Sequence, residues 1–297
     1  MSRFAPDTIA MGAVALAGLA WGVFWVPLRA LEAAGITGAW AVLVFQALPT
    51  FLLLPVYVLR RRRLCAGGWS LHLAGLFAGT ALVCYAGALI FTDIVRALLF
   101  YYLTPIWSTL LARVVLGEKI DAIRWGTILL GGLGLALIIR VENGLGQAFN
   151  IGDLMGVCAG LIWAVAAVSM KADQKNHGLD LTLSYFFWGT LAAGVLVLVP
   201  ISGPAPDPSA VSDTLFWLVP TMLVLVFPAT LAVIWGATLI SPGLLAILFM
   251  TEISAGTITA ALWAGEPVGV REIAGVLLIS AAGLWEPVFR ATRRHRR

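Results

Sequence analysis

The stretch AGLAWGVFWVPLRA, residues 17–30, recurs 142 positions later as AGLIWAVAAVSMKA, residues 159–172. Seven of the fourteen positions are identical, and the match includes a tryptophan, which an apolar alphabet rarely repeats by chance. The identical pairs are Ala17 and Ala159, Gly18 and Gly160, Leu19 and Leu161, Trp21 and Trp163, Val23 and Val165, Val26 and Val168, and Ala30 and Ala172. We therefore predict that the chain consists of two copies of one unit, residues 1–148 and 149–297.

A second pair of segments closes each unit in the same way. Gly117-Glu118 recurs as Gly265-Glu266, and the apolar segment that follows repeats four further residues. These are Gly126, Leu129, Gly134 and Leu135 in the first unit, and Gly275, Leu278, Gly283 and Leu284 in the second. An internal repeat of this length predicts the architecture before any local pattern is considered.

The composition is that of an integral membrane protein. Hydrophobic residues make up 61% of the 297, charged residues only 11%, and the mean hydropathy is +0.96. Such a chain has more apolar surface than a soluble domain could cover, and a membrane helix needs about 20 apolar residues. We predict an all-α membrane protein with ten transmembrane helices, at residues 8–28, 38–59, 69–91, 95–116, 122–140, 152–171, 181–201, 213–237, 243–264 and 270–289.

The cations predict the orientation of these helices. With the amino terminus in the cytoplasm, 15 of the 19 lysines and arginines fall inside, among them Arg60 to Arg63 and the arginines of the carboxyl-terminal tail. The positive-inside rule therefore places both termini in the cytoplasm. Because each unit has five spans, an odd number, the second unit must cross in the opposite sense. Such inverted repeats are typical of transporters that enclose a central site.

Several function classes find no support in the sequence. The three cysteines are odd in number and widely spaced, and the three histidines have no acid or cysteine at ligand spacing, so neither a disulfide framework nor a metal site is indicated. No glycine cluster is followed by Lys-Ser/Thr, as a nucleotide-binding loop requires. The cationic clusters lie at helix ends, where they orient the protein. We expect no cofactor, no metal and no nucleic-acid partner.

The segment LTPIWSTLLARVVLGEKIDAIRWGTILLGGLGLALI, residues 103–138, resembles the close of an EamA domain. Trp21-Gly22, near the middle of the first helix, is similar to the pattern of that family as well. The resemblance extends over essentially the whole chain, as two EamA-type repeats of the drug/metabolite transporter superfamily. It implies the fold of that superfamily, ten helices in two inverted five-helix repeats, in a bacterial inner (plasma) membrane.

A finer resemblance points to one branch of the superfamily. The segment MTEIS, residues 250–254, followed by GEPVGVRE, residues 265–272, resembles the YddG branch, whose members export aromatic amino acids and related compounds. The family pattern places a proline after the threonine or leucine in both repeats, as in Thr104-Pro105, whereas the second repeat here reads Thr251-Glu252. This departure, which YddG-like proteins share, replaces a helix-loosening proline with a buried acid.

Glu252 is the candidate that carries charge inside the membrane. It lies about nine residues from either end of its predicted helix, near the bilayer midplane. A charge there costs about 2.5–3.5 kcal/mol on insertion scales, so such residues usually face a wet cavity. We interpret Glu252 as a counter-charge for a substrate amine or as a proton site. A hydrogen-bonded carboxyl that locks helix nine to a neighbour is the structural alternative.

Deep aromatic side chains are the candidates for the walls of a substrate cavity. Trp21 and Trp163 occupy equivalent positions of the two repeats, and so do Tyr85 and Trp235. Tryptophans at this depth do not belong to an interfacial belt, and their flat faces suit a ring or a cation, although core packing would also explain them. The predicted cavity residues are Trp21, Tyr85, Tyr101, Trp163, Trp188 and Trp235, together with the polar Gln46 and Glu252.

Helix four contains a predicted bending point. Tyr101, Thr104, Pro105 and Ser108 fall on one helical face, so Tyr101 rather than Tyr102 is predicted to face the cavity. Pro105 removes a backbone hydrogen bond in mid-helix, and we predict that it acts as a hinge.

These features predict a secondary transporter that exports amino acids, aromatic ones and related metabolites, by alternating access. A broad exporter of amphipathic or cationic compounds is the alternative within the same class. An intramembrane enzyme acting on lipids or isoprenoids would need converging acids, histidines or a nucleophile, which one buried glutamate does not provide. We therefore expect no catalytic residue. The expected partners are a small-molecule substrate and the lipid bilayer, and the sequence indicates no oligomeric state.

Overall fold

The computed structural model describes residues 6–92, 94–139, 148–173, 175–199, 203–264 and 269–294, and every regular element in these ranges is helical. The first half contains α1 (Pro6–Trp21), α2 (Trp25–Ala33), α3 (Gly38–Leu52), α4 (Leu54–Ala66), α5 (Gly68–Phe91), α6 (Ile94–Tyr101), α7 (Thr104–Leu116) and α8 (Ala122–Ile139). The second half contains α9 (Ile151–Ala172), α10 (Gly178–Leu196), α11 (Pro208–Thr221), α12 (Phe227–Leu239), α13 (Pro242–Phe249), α14 (Thr251–Ala264) and α15 (Val270–Arg294). A π-helical stretch, Met222–Val226, joins α11 to α12.

Seven segments of the described chain are long and apolar enough to cross a membrane. They are Pro6–Ala33, Gly68–Leu89, Ala97–Leu116, Ile151–Ala172, Gly178–Leu196, Pro208–Leu239 and Pro242–Trp263. An eighth is reached if α3 and α4, which meet at an angle of 76°, form one broken span, and Ala122–Leu137 is apolar but shorter. Within the described residues the count is thus seven or eight, and the ten spans predicted from the sequence are not reached.

Several spans consist of two helices separated by a turn. A turn at residues 22–24 separates α1 from α2, one at residues 102–103 separates α6 from α7, and one at Met250 separates α13 from α14. A proline follows two of the breaks in the first half. Pro55 stands at the start of α4, after the break between α3 and α4, and Pro105 stands at the start of α7. A missing N–H is tolerated at such positions. The turn at Met250 has no proline within or directly after it.

Glycines bring helices from opposite halves into contact at two of these turns. A Cβ atom added at Gly18 in α1 would lie 2.1 Å from Oγ1 of Thr251, at the start of α14. One added at Gly160 in α9 would lie 2.9 Å from Oγ1 of Thr104, at the start of α7. Only glycine allows such close approach of two helices. The repeated Gly-Leu segments therefore pack in the same way, each against the broken helix of the other half.

The most extensive of the other helix contacts also join the two halves of the chain. Helix α9 packs against α5, α6 and α7, while α1 packs against α12, α13 and α14; α3 packs against α10, and α8 against α15. The largest cluster of buried apolar side chains draws on α1, α3, α5, α9, α10, α12 and α13. The core therefore lies between the halves, around the place where the two broken spans meet α1 and α9.

Candidate functional site

A cavity lies within this core, and its empty space, counted together with the open solvent at its mouth, is about 500 Å³. Its lining comes from both halves of the chain, and more than half of the lining residues are aromatic. The aromatic ones are Trp21, Tyr85, Tyr101, Trp163, Tyr185 and Phe249. The others are Ala81, Leu82, Thr230, Val233 and Glu252. Cavities of this kind, mostly apolar with a few polar groups, are the usual form of a small-molecule site.

The rings are already in contact with one another. The centroids of Tyr85 and Tyr101 lie 4.4 Å apart, and Trp21 meets the edge of Phe249 at 6.2 Å. Trp21 also stacks on Phe24, with centroids 4.1 Å apart and an angle of 12° between the ring planes. Aromatic pairs in these arrangements hold their rings in fixed orientations. The wall is therefore a preformed set of flat surfaces against which a planar ligand could stack.

Glu252 is the one acidic residue of this lining. It lies in the first turn of α14, two positions after the turn at Met250. The hydroxyl of Tyr102 donates a hydrogen bond of 2.7 Å to Oε2 of Glu252. Unpaired backbone N–H groups in the first turn of a helix also favour an acceptor there. The continuous helix predicted for residues 243–264 is thus broken beside its acid, which leaves the carboxylate at a helix start that borders the cavity.

Other buried acids of the chain hold helix ends together and lie away from the cavity lining. Asp180, in the first turn of α10, forms an ion pair with Arg60 of α4, including a 2.8 Å hydrogen bond from Nη2 to Oδ2. Asp153, fully buried, forms a capping box with Asn150 at the start of α9 and accepts a 2.9 Å hydrogen bond from the Thr92 hydroxyl. Burial of an acid is therefore common here. It is the position of Glu252 on the cavity wall that distinguishes this residue.

The structure brings together five of the residues predicted for the site and places four elsewhere. Trp21, Tyr85, Tyr101, Trp163 and Glu252 line the cavity. Trp188, Trp235, Gln46 and Pro105 lie outside this lining.

The two tryptophans outside the lining have structural contacts of their own. The indole N–H of Trp188 donates to Nδ1 of His72 over 3.3 Å, and the two rings meet edge to face. Trp235 packs against the start of α10, where a Cβ atom added at Gly178 would lie 3.0 Å from its Cα and Cβ. Both residues are half-buried and contact neighbouring helices.

Gln46 and Pro105 support the site from outside. Gln46 is fully buried beside Gly189, and the hydroxyl of Thr190 donates to its backbone carbonyl over 2.9 Å. Its side-chain amide is adjacent to the Tyr185 hydroxyl, although neither amide atom makes a hydrogen bond of good geometry within the described residues. Pro105 is buried in the first turn of α7, directly after the turn at residues 102–103. The predicted hinge therefore lies next to a real break in the span.

Four aromatic or hydroxyl-bearing residues of the site were missed in the sequence. Tyr185, Thr230 and Phe249 line the cavity, and Tyr102 binds Glu252. The interpretation of Tyr102 assumed a continuous helix four, and the turn at residues 102–103 removes that assumption. Tyr185 lies three residues before Trp188 in the same span, so its depth could have been noticed. Thr230 and Phe249 had no signal of their own.

The arrangement suits binding more than bond chemistry. Within the described residues, no three side chains of His, Cys, Asp or Glu come close enough to hold a metal ion. The cavity offers flat aromatic faces, one carboxylate that accepts a hydrogen bond from a tyrosine hydroxyl, and one threonine hydroxyl. These groups can hold an organic molecule that has an apolar ring and a positively charged or hydrogen-bonding end.

Comparisons with known proteins agree with this architecture. The model of the EamA-like transporter family matches the chain twice, over residues 8–140 and 150–285. The chain therefore belongs to the EamA-like transporter family, within the drug/metabolite transporter superfamily, and carries two copies of its repeat. Membership implies a multi-pass membrane transporter of small molecules.

Comparison with solved structures concerns the fold alone. A structure described only as the crystal structure of a protein has a TM-score of 0.75 and 16% sequence identity, and the match covers 95% of this chain and 97% of the other. Identity this low carries no information about the ligand. No curated protein gives a significant match to the chain.

Proposed function

We propose that this protein is a secondary exporter of amino acids, chiefly aromatic ones and related metabolites, and that it works by alternating access. The observation that carries the proposal is the central cavity, which combines six aromatic rings with the carboxylate of Glu252. An aromatic amino acid has a ring that could stack on those walls and an ammonium group that could pair with that carboxylate. The resemblance of residues 250–254 to the YddG branch supports the same substrate class.

The proposed architecture is ten spans in two inverted five-span repeats, residues 1–148 and 149–297, with both termini in the cytoplasm of a bacterial cell. The reciprocal contacts of Gly18 with Thr251 and of Gly160 with Thr104 support it, because a two-fold relation between the repeats would produce such a pair. In inverted repeats, each half can adopt the conformation of the other, which opens the central site to one side at a time.

Energy for export would come from a gradient. The sequence contains no nucleotide-binding loop, so ATP hydrolysis by this chain is not expected. Glu252 could serve in two ways: as the counter-charge of the substrate amine, or as the site of a coupled proton. Both roles place the same carboxylate in the cavity, and they differ in what a neutral glutamine would change.

A broad exporter of amphipathic cations is the second candidate. One observation favours it: none of the described residues that line the cavity is lysine, arginine or histidine. An aromatic cage with one carboxylate and no cation suits a positively charged ligand better than an anionic one.

The test is transport by purified protein in liposomes preloaded with labelled phenylalanine, labelled alanine or a labelled quaternary aromatic amine. The proposal expects efflux of phenylalanine above that of protein-free liposomes and faster than that of alanine. Glu252→Gln is the matched variant, and it should slow efflux while leaving the protein folded. Efflux of the quaternary amine alone would favour the second candidate. Turnover of lipid in the same vesicles, without efflux, would favour an enzyme and contradict the proposal.

A further inference from the structure

Two buried polar groups beside the cavity have no hydrogen-bond partner in the part of the chain that the structure describes. They are the indole N–H of Trp21 and the hydroxyl of Thr230, and both residues line the cavity. Thr230 is only 4% exposed. A buried donor without a partner is costly, and native proteins leave few of them. At the wall of a binding site, the missing partner can be an atom of the ligand.

The hydroxyl of Thr230 is unpaired, as are those of Ser108, Thr109 and Ser254 among the described residues, but of these four only Thr230 lines the cavity. Threonines in helices commonly donate back to the carbonyl four residues earlier. Thr221 does so to Trp217 over 2.8 Å, and Thr259 to Ala255 over 2.8 Å. For Thr230 that carbonyl belongs to Val226, the last residue of the π-helical stretch, and no such bond forms. The hydroxyl of Thr230 therefore has no intrahelical acceptor and can bind another group.

Trp21 and Thr230 lie at the same height in the molecule. Helices α1 and α12 pack side by side, with Gly236 against Val14, and α2 contacts α11, so the two chain segments run in opposite directions. Trp21 follows Val14 by seven residues and Thr230 precedes Gly236 by six, which corresponds to rises of about 10.5 and about 9 Å from the shared contact. The two donors therefore face one zone of the cavity.

Glu252 borders the same zone. A Cβ atom added at Gly22, the residue after Trp21, would lie 2.5 Å from the backbone oxygen of Glu252. The cavity thus has a carboxylate and two uncharged donors at about the same height along the packed helices, among its aromatic walls. A ligand could place an ammonium group on the carboxylate and an acceptor oxygen on the donors.

We propose that Trp21 and Thr230 form an uncharged subsite that binds a carbonyl oxygen of the substrate, next to the ammonium group held by Glu252. The proposal rests on the proposed function, namely that this cavity holds the transported molecule. Among the related metabolites of the proposed function, it singles out aromatic amines with a neighbouring uncharged carbonyl, such as amides and esters of aromatic amino acids.

While Glu252 is ionised, the charges of the site favour the amide over the free amino acid. A cationic amide and an ionised Glu252 sum to zero charge, whereas a zwitterion leaves one net negative charge inside the cavity. No lysine, arginine or histidine among the described lining residues could balance that charge. Burial of an unpaired charge is expensive. An indole N–H and a hydroxyl can bind a neutral carbonyl without this cost.

The test compares three ligands that share a phenyl ring and an amine: phenethylamine, phenylalaninamide and phenylalanine. Binding to the purified protein in detergent is measured by calorimetry. Because two hydrogen bonds are added, we expect phenylalaninamide to bind about tenfold more tightly than phenethylamine. Phenylalanine should bind more weakly than its amide.

Variants assign the gain to the two donors. Thr230→Val and Trp21→Phe should each remove most of the advantage of the amide, while Thr230→Ser should keep it. Thr221→Val and Trp107→Phe are the matched controls, since Thr221 lies outside the cavity and the buried indole N–H of Trp107 is unpartnered within the described residues but does not line it. Equal binding of all three ligands, or an advantage that survives in Thr230→Val, would overturn the subsite alone. Binding of none of them by the parent would overturn the proposed function as well.

Discussion

The two broken spans that meet at the cavity share one backbone design and differ in the residue that follows the threonine. In the first, the turn at residues 102–103 ends at Thr104, whose hydroxyl donates to the carbonyl of Tyr101, three residues earlier. In the second, the turn at Met250 ends at Thr251, whose hydroxyl donates to the carbonyl of Leu248, again three residues earlier. The next residue is Pro105 in the first span and Glu252 in the second.

This difference indicates how a repeated scaffold can acquire a polar, directional site. Glycine and threonine are kept in both copies, because they allow each broken helix to pack against the repeat helix of the other half. The residue after the threonine is not needed for that packing. It is a rigid apolar ring in one copy and a carboxylate with a tyrosine partner in the other. The packing of the broken helices thus follows the repeat, whereas the charge beside them does not.

The largest effect is expected from labelling, which tests whether the two copies are inverted. Cys65 is exposed in the last turn of α4, and Ser209 is exposed at the start of α11, beside the equivalent connection of the second copy. Inverted repeats place these two connections on opposite faces. A membrane-impermeant maleimide should therefore label Cys65 only from the cytoplasmic side and the Ser209→Cys variant only from the outer side, as mapped by mass spectrometry. Labelling of both from one side would refute inverted topology.

Exchange of the residue that differs should separate charge from shape. Glu252→Gln removes a charged hydrogen-bond partner, so we expect transport of amine substrates to fall about 10- to 100-fold. Pro105→Ala should change the rate by less than about threefold, because a proline in the first helical turn can be replaced without loss of a hydrogen bond. Initial rates of efflux from liposomes provide the measurement. A larger loss in Pro105→Ala than in Glu252→Gln would mean that the hinge, not the charge, limits transport.

Substitution of the repeated glycines should destabilise both copies alike. Gly18→Ala and Gly160→Ala push a methyl group against Thr251 and against the Tyr101 carbonyl, and overpacking of this kind costs about 1–3 kcal/mol. Gly12→Ala is the control, since nothing lies within 4 Å of its added Cβ and alanine is the better helix former by about 0.5–1 kcal/mol. Thermal unfolding in detergent should show a lower Tm for the first two and an unchanged or higher Tm for the control. Tolerance of alanine at both contacts would argue against tight packing there.

The smallest effect is expected from the tyrosine that binds the acid. Tyr102→Phe removes one hydrogen bond to Glu252, with a contribution of about 0.5–1.5 kcal/mol, so the apparent KM for an amine substrate should change about two- to tenfold. Tyr57→Phe is the control, because its hydroxyl donates to the Leu183 carbonyl, away from the cavity lining. If both variants shift KM equally, the Tyr102 contact has no specific role at the site.

The repeat could be predicted from the sequence, and so could the position of each residue along its apolar run. Trp21 and Trp163 were recognised because they are equivalent in the two copies, and both line the cavity. Trp188 and Trp235 also lie well inside their apolar runs, but they face His72 and Gly178. Depth follows from the position along an apolar run. The direction in which a side chain points depends on the rotation of its helix about its axis. A helix that is apolar on every face carries no pattern that specifies this rotation.

The breaks and the contacts between halves could not be predicted. Pro105 indicated a weak point in its span, whereas no proline marks the turn at Met250. The feature that accompanies that turn is tight packing against Gly18 and Gly22, which depends on the tertiary structure. The hydrogen bond from Tyr102 to Glu252 joins residues 150 positions apart, so it depends on how the two copies dock. Thr230 was missed because the presence or absence of a hydrogen-bond partner for its hydroxyl depends on the packing around it.

The central claim, that substrate passes through the aromatic cavity, is tested most directly by truncating one tryptophan on the wall and one outside it. Stacking and burial of a ring against Trp163 contribute about 1–3 kcal/mol, so Trp163→Ala should slow phenylalanine efflux from liposomes about 5- to 100-fold and alanine efflux far less. Trp188→Ala, which removes a tryptophan bonded to His72, should affect both substrates equally and weakly. Trp163→Phe should retain most phenylalanine efflux. Equal loss for phenylalanine and alanine in Trp163→Ala, or a larger selective loss in Trp188→Ala, would contradict the account.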